Sequence, residues 1–343
     1  MTILFASGED TGFTLIGAAV GATTPAGCSR SGYARSTACG VGANNGTIVA
    51  DPPANRFQTP IFTAGNLVWV HAQFFNATDV TTTNNQQTLL LRSPDGVSRI
   101  VLRQTGTAGT FKVSSRNAAG AFTDLATATG VFTLNTITQL DLKVDYSASG
   151  GVQLYLAGTL VINYSGDPRT DAATQLDQVE FSGAGFNGNQ RTVWSEMIIA
   201  DEDTTGMALW TMTPQAAGAT QSWTPNTLAN INKAVINDST LITTATANAL
   251  SEWTAPTAVP AGTWNVKAVV QEARVERGAT GPQHFDWQLR VSATDYAAGA
   301  SNAPVTSFGN FSNYSWPTNP ATSAAWITAD LTTGIQYGIK SLT

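Results

Sequence analysis

The sequence predicts an all-β protein built as two β-sandwich domains in tandem, and three observations carry that prediction. Apolar and polar residues alternate with period two along most of the chain. Long helical periodicity is nearly absent, and Gly, Asn, Asp and Pro interrupt the alternation roughly every 8–12 residues, as in sandwiches and barrels. The acidic break Asp201-Glu-Asp-Thr-Thr-Gly206 then divides 343 residues into two parts of domain size. Beyond it Pro becomes frequent and six of the nine Trp residues follow, with Trp210 at the junction. The expected domains are therefore 1–205 and 206–343.

Each element follows from local pattern. In the first half, strands are expected over 67–75, 87–92, 98–104, 110–115 and 121–126, separated by turns such as Ser93-Pro94-Asp95-Gly96. Residues 139–146 place Leu140, Leu142, Val144 and Tyr146 on one face and Asp141, Lys143 and Asp145 on the other. That is the pattern of a half-solvated antiparallel strand. Strands over 152–156 and 159–164 continue a meander, and 175–182 and 192–200 close the half. In the second half the pattern predicts strands over 234–242, 248–255, 263–277, 283–292 and 324–328, compatible with a jelly-roll-like sandwich.

Composition excludes several classes. Only 12% of residues are charged, against about 25% in typical soluble domains. A net charge of −6 without a Lys/Arg cluster argues against a nucleic-acid partner. No apolar run of about 20 residues predicts membrane insertion. Nine Trp, fourteen Phe and seven Tyr supply a core and argue against disorder. The N-terminus has neither the charged start nor the apolar stretch of a secretory leader, so export by that route is not expected. Cys28 and Cys39 enclose ten residues. They read either as a disulfide, contributing about 2–3 kcal/mol, or as free thiols.

The first half resembles the concanavalin-like, laminin-G-type sandwich. The residues that carry the resemblance are Leu89-Leu-Leu-Arg92, Leu140-Asp-Leu-Lys-Val-Asp-Tyr146, Val152-Gln-Leu-Tyr-Leu-Ala-Gly-Thr-Leu160 and Val179-Glu-Phe181. The whole chain also resembles two-part structural proteins of tailed-bacteriophage virions, through the link Asp201-Glu-Asp-Thr-Thr-Gly-Met207 and the segments 264–277 and 326–330. This second resemblance implies a non-enzymatic fibre, spike, collar or decoration subunit, located in the virion. Its partners would be copies of itself, other virion proteins and a host-surface glycan. The alternatives are a carbohydrate-binding adhesin and a concanavalin-like glycoside hydrolase.

Candidate chemistry is sparse. A glycoside hydrolase needs two carboxylates flanking the scissile bond. The nearest match, Asp141-x-Lys143-x-Asp145, carries a lysine at its centre and reads as a charged solvent face. Glu196 stands alone, and His71 and His284 adjoin no nucleophile motif. The laminin-G resemblance implies calcium at a sandwich rim. Asp201, Glu202 and Asp203, with Asp167 and Asp171 as a second set, are the acids that would hold it; no other cofactor is expected. Phe311, Tyr314 and Trp316, in a loop-like stretch rich in Asn and Ser, form the candidate sugar-stacking platform.

Overall fold

The computed structural model describes residues 2–7, 14–16, 20–21, 24–25, 48–50, 56–76, 86–133, 136–182, 192–210, 212, 214–231, 239–257, 259, 263–306 and 309–343. Its secondary structure is nearly all antiparallel β, and the chain divides into two compact units, Met1–Leu209 and Trp210–Thr343.

In chain order the first unit contains β1 (Ile3–Ser7), β2 (Thr14–Ile16), β3 (Val20–Gly21), β4 (Thr24–Pro25), β5 (Ile48–Ala50), β6 (Arg56–Gln58), β7 (Leu67–Asn76) and β8 (Gln86–Arg92). Then come β9 (Ser98–Gln104), β10 (Phe111–Arg116), β11 (Phe122–Ala128), β12 (Ile137–Asp145), β13 (Gly151–Leu156), β14 (Thr159–Ser165), β15 (Gln178–Ser182) and β16 (Thr192–Ala200). Two seven-stranded sheets result. One runs β1-β16-β7-β12-β13-β14, with β5 also on β16; the other runs β11-β10-β9-β8-β15-β6-β2.

Period-two alternation explains why these sheets stack. The first sheet contributes Val70, Ala72 and Phe74 from β7, Leu140, Leu142 and Val144 from β12, and Val152 and Leu154 from β13. The second contributes Leu89 and Leu91, Ile100 and Leu102, Phe111 and Val113, and Val179 and Phe181 to the same cluster. At its centre Phe74 meets Phe111 at 5.6 Å and Phe181 meets Trp194 edge-on at 5.1 Å, in the tilted geometries aromatic quadrupoles favour. Burial of this apolar area drives the sandwich.

One irregularity breaks the alternation. In β16, Ser195 opposes Gln73 and Ile198 opposes His71, so Glu196 and Met197 together face Ala72 as a bulge. Glu196 takes φ +50° there, a left-handed conformation rare for a residue with a Cβ.

The second unit contains β17 (Ala216–Gln221), α1 (Leu228–Ile231), β18 (Leu250–Thr254), β19 (Val269–Val275), β20 (His284–Val291), β21 (Thr294–Ala297), β22 (Gly309–Trp316), α2 (Thr328–Thr332) and β23 (Gln336–Leu342). A five-stranded sheet, β17-β18-β23-β20-β21, accompanies the pair β19-β22. Val269 and Trp316 from the pair pack with Leu289 and Val291 of β20, along with Trp326, Leu331 and Ile335.

Several sequence expectations for this unit need correction. The strand expected over 263–277 begins only at Val269. No strand forms over 324–328; Trp326 is a core residue whose indole N–H donates to the Trp316 carbonyl at 2.8 Å, and α2 starts at Thr328. Of the strand expected over 234–242, residues 234–238 lie outside the described residues and 239–242 carry none. The stretch expected as an aromatic loop is the strand β22.

Candidate functional site

The residues singled out from sequence separate into distinct environments. Cys28 and Cys39 lie outside the described residues, as does the side chain of Phe311. Trp316 is 6% exposed. Its indole N–H donates to Gln271 Oε1 at 2.8 Å, and Tyr314 packs edge-on against it at 4.8 Å. An indole that finds a buried acceptor belongs to the core, so Trp316 does not offer the open ring a sugar platform requires.

The acids proposed for calcium are engaged by the chain's own groups. Asp201 Oδ1 accepts from the Thr2 amide at 2.7 Å, and Asp203 Oδ1 from the Thr205 amide at 2.8 Å; Glu202 is half-buried. Asp167 takes both Nε and Nη2 of Arg169, and those bonds hold its carboxyl down at about 2. Asp171 pairs with Arg99 and caps the Ala118 and Ala173 amides. Among the described residues no group of three or more His, Cys, Asp or Glu is placed to hold a metal ion.

The reading of Asp141 as a solvent-facing charge is overturned. Asp141 is fully buried and accepts from three side chains. His71 Nδ1 lies 2.8 Å from Oδ1, Thr204 Oγ1 donates to the same oxygen at 2.8 Å, and Gln139 Nε2 donates to Oδ2 at 2.8 Å. The register explains the arrangement: Asp141 and His71 are directly opposed on β12 and β7, and the acidic link that follows β16 brings Thr204 onto them. Alternation correctly places Asp141 on the outward face, but outward is not synonymous with exposed where a later segment covers the sheet. His71 Nε2 is buried without a hydrogen-bond partner.

The same outward face opens to solvent toward β13 and β14. Strand register aligns Trp69, Lys143, Gln153 and Asn163 in one row across four strands, with Tyr155 and Leu160 in the next. The Trp69 and Tyr155 rings stack at 6.0 Å with 25° between their planes, and the Lys143 ammonium stands 5.8 Å from the Trp69 centroid. Gln153 Nε2 donates to Asn163 Oδ1 at 3.1 Å, and the Tyr155 hydroxyl donates to Gln153 Oε1 at 3.3 Å. Trp69 is nearly buried, whereas Tyr155, Gln153 and Lys143 are half-exposed and Asn163 and Leu160 exposed. A rigid sheet thus presents an aromatic ring, two amides, a phenol and an ammonium within one surface. Its signal in the sequence was the i, i+2 spacing of polar and aromatic residues opposite the core positions. Only the register reveals that four strands share the row.

A second buried acid lies in the other unit. Glu252 on β18 is fully buried, and neither carboxyl oxygen has a partner in hydrogen-bonding geometry. Its side chain crosses Gly338 of the neighbouring β23, where an added Cβ would stand 2.9 Å from Glu252 Cγ. The register shift between Ala217 and Gln221 carries 218–220 out of the β17–β18 ladder beside it. Burial is the main force pushing the Glu252 carboxyl above its ordinary range; the Asp295 carboxylate adds to it, while the Thr220 hydroxyl and Arg290 oppose it.

No protein-family model matches the chain, and no curated protein matches it. Solved structures do resemble it. A cellulose-induced protein, Cip1, aligns at 16% identity over 47% of this chain and 81% of its own, with a TM-score of 0.37. The botulinum neurotoxin serotype D binding domain aligns at 12% identity over 57% of this chain and 49% of its own, TM-score 0.36. The carbohydrate-binding module CBM66 from Bacillus subtilis aligns at 12% identity, covering 57% of this chain and 98% of its own, TM-score 0.34.

Proposed function

We propose that the chain is a non-catalytic glycan-binding protein that engages sugar on the outward face of β12–β14. The observation that carries this reading is the row of Lys143, Gln153 and Asn163 beside the Tyr155–Trp69 stack. A pyranose has an apolar C–H face and a rim of hydroxyls. An aromatic ring complements the first; amide and phenol groups that both donate and accept, with an ammonium that donates, complement the second. A non-catalytic role is supported by Asp141, the acid beside His71 on this face, being saturated by three donors beneath a covering segment. A glycan array checks the proposal: binding should weaken about tenfold in Tyr155→Ala, as for an aromatic anchor. Binding of neutral glycans indifferent to Tyr155→Ala, or no neutral glycan bound at all, would refute it.

A second reading, that such a module belongs to an oligomeric virion subunit, is favoured by the link Asp201-Glu-Asp-Thr-Thr-Gly-Met207. Thr204 of that link is tied into the buried Asp141 cluster. A polar, charge-poor surface suits permanent packing between subunits. Mass measurement in solution tests this reading, and a strict monomer with no affinity for particles would sink it.

A further inference from the structure

The outward face of β9–β11, at the edge of the second sheet, concentrates positive charge in a chain whose net charge is −6. Arg103, Lys112 and Arg116 gather there around one carboxylate, Asp124. Asp124 is bonded by Arg103, by Lys112 Nζ at 2.9 Å and by the Ser114 hydroxyl at 2.8 Å. Arg116 has no carboxylate partner among the described residues; its Nε donates to the Gly120 carbonyl at 3.4 Å. Both guanidinium groups stand near the ring of Phe122, which is 38% exposed. Arg103 stands 4.5 Å and Arg116 5.5 Å from its centroid. Beyond the 117–120 turn, Arg99 is matched by two acids, Asp95 and Asp171, so the excess charge is confined to the Arg103–Lys112–Arg116 side.

We propose that this edge binds an anionic polysaccharide, with Arg116 and Lys112 taking a sulfate or carboxylate group and the Phe122 ring meeting the sugar face beside it. Planar guanidinium groups match oxyanions with paired N–H donors. An exposed ring already flanked by cations supplies the apolar surface that a bare oxyanion would not use. The patch is small and the rest of the chain acidic, which disfavours the extended phosphate tracking of nucleic-acid binders. The site is separate from the Tyr155 face and does not depend on it.

The test compares dextran sulfate, polygalacturonate, neutral dextran and single-stranded DNA in a binding titration at low salt. The intact chain should bind at least one of the two acidic polysaccharides and not neutral dextran. Arg116→Gln and Lys112→Gln should each weaken that binding about tenfold, roughly the loss of one charge-assisted contact. Retained affinity in the Arg116→Gln, Lys112→Gln double variant would overturn the assignment. So would equal binding of neutral dextran, stronger binding of DNA, or no binding of either acidic polysaccharide.

Discussion

His71 and Asp141 face each other across β7 and β12 with 2.8 Å between Nδ1 and the carboxylate, both fully buried on the side of the sheet away from the hydrophobic core. A carboxylate can only accept, so Nδ1 carries the shared proton, and Gln139 and Thr204 donate to the same group. Asp141 therefore joins two strands and the link after β16 at one point.

Removing that acceptor should be costly. Asp141→Ala strands the buried His71 and Thr204 together with half-buried Gln139, and is expected to destabilise the first unit by about 3 kcal/mol, and Asp141→Asn by less. Urea unfolding followed by tryptophan fluorescence measures both; a midpoint for Asp141→Ala equal to that of the natural chain would contradict the role assigned here.

Tyr146 should respond in the opposite sense. Its side chain is fully buried, its hydroxyl has no partner, and burial pushes the phenol up to about 12. Tyr146→Phe removes an unsatisfied polar atom while keeping the ring, so stability should hold or rise by about 1 kcal/mol. A clear loss on calorimetry would show that the hydroxyl is bonded in solution.

Glu252 makes the second unit sensitive to pH. Its folded-state pKa lies above the ordinary 4.5. The folded protein therefore holds this proton more tightly than the unfolded chain does. The resulting stability is whole below about 4.5 and is lost as pH rises through the folded value. Glu252→Gln imitates the protonated form, so its melting temperature should decline less between about pH 5 and pH 8 than that of the natural chain. Parallel melting curves over that range would count against the effect.

Trp316→Ala should act on folding and not on sugar recognition. Truncating a core indole costs about 3–5 kcal/mol, and here it also leaves Gln271 Oε1 without its donor. Trp316→Phe should be milder, about 1–2 kcal/mol, and should leave glycan affinity unaltered. A folded Trp316→Phe protein that no longer bound glycan would restore Trp316 to the binding surface.

Much of the first unit was legible because its strands follow simple alternation. Leu140, Leu142, Val144 and Tyr146 are all fully buried, and β9 and β16 occupy the spans the pattern marks. The second unit was less legible, for identifiable reasons. β17 is Ala-Ala-Gly-Ala-Thr-Gln, with Thr220 alone of the branched and aromatic residues that betray a strand, and β23 offers only Tyr337 and Ile339 on either side of Gly338. A Cβ at 338 would stand 2.6 Å from the Ser251 carbonyl oxygen and 2.9 Å from Glu252 Cγ, contacts invisible before the register is known. The candidate surface was hidden for the same reason: Lys143, Gln153 and Asn163 are far apart in the chain and adjacent only in the sheet. In β22, Asn and Ser between aromatics imitate a loop, although pairing with β19 makes it a strand.

The bulge at Glu196 acts as a parity correction within a single strand. Trp194 and Met197 both enter the core although three positions separate them, and Ile199 follows in phase with Met197. If the strand ran on without the bulge, Met197 and Ile199 would turn to the outward side and Ile198 into the core, whereas deleting Glu196 would leave Trp194, Met197 and Ile199 on one face by simple alternation. A chain lacking Glu196 should accordingly keep Met197 and Ile199 in the core, with the bulge removed. The bulge, by absorbing one extra residue, keeps the hydrophobic interior and the His71–Asp141 layer on opposite sides of one sheet.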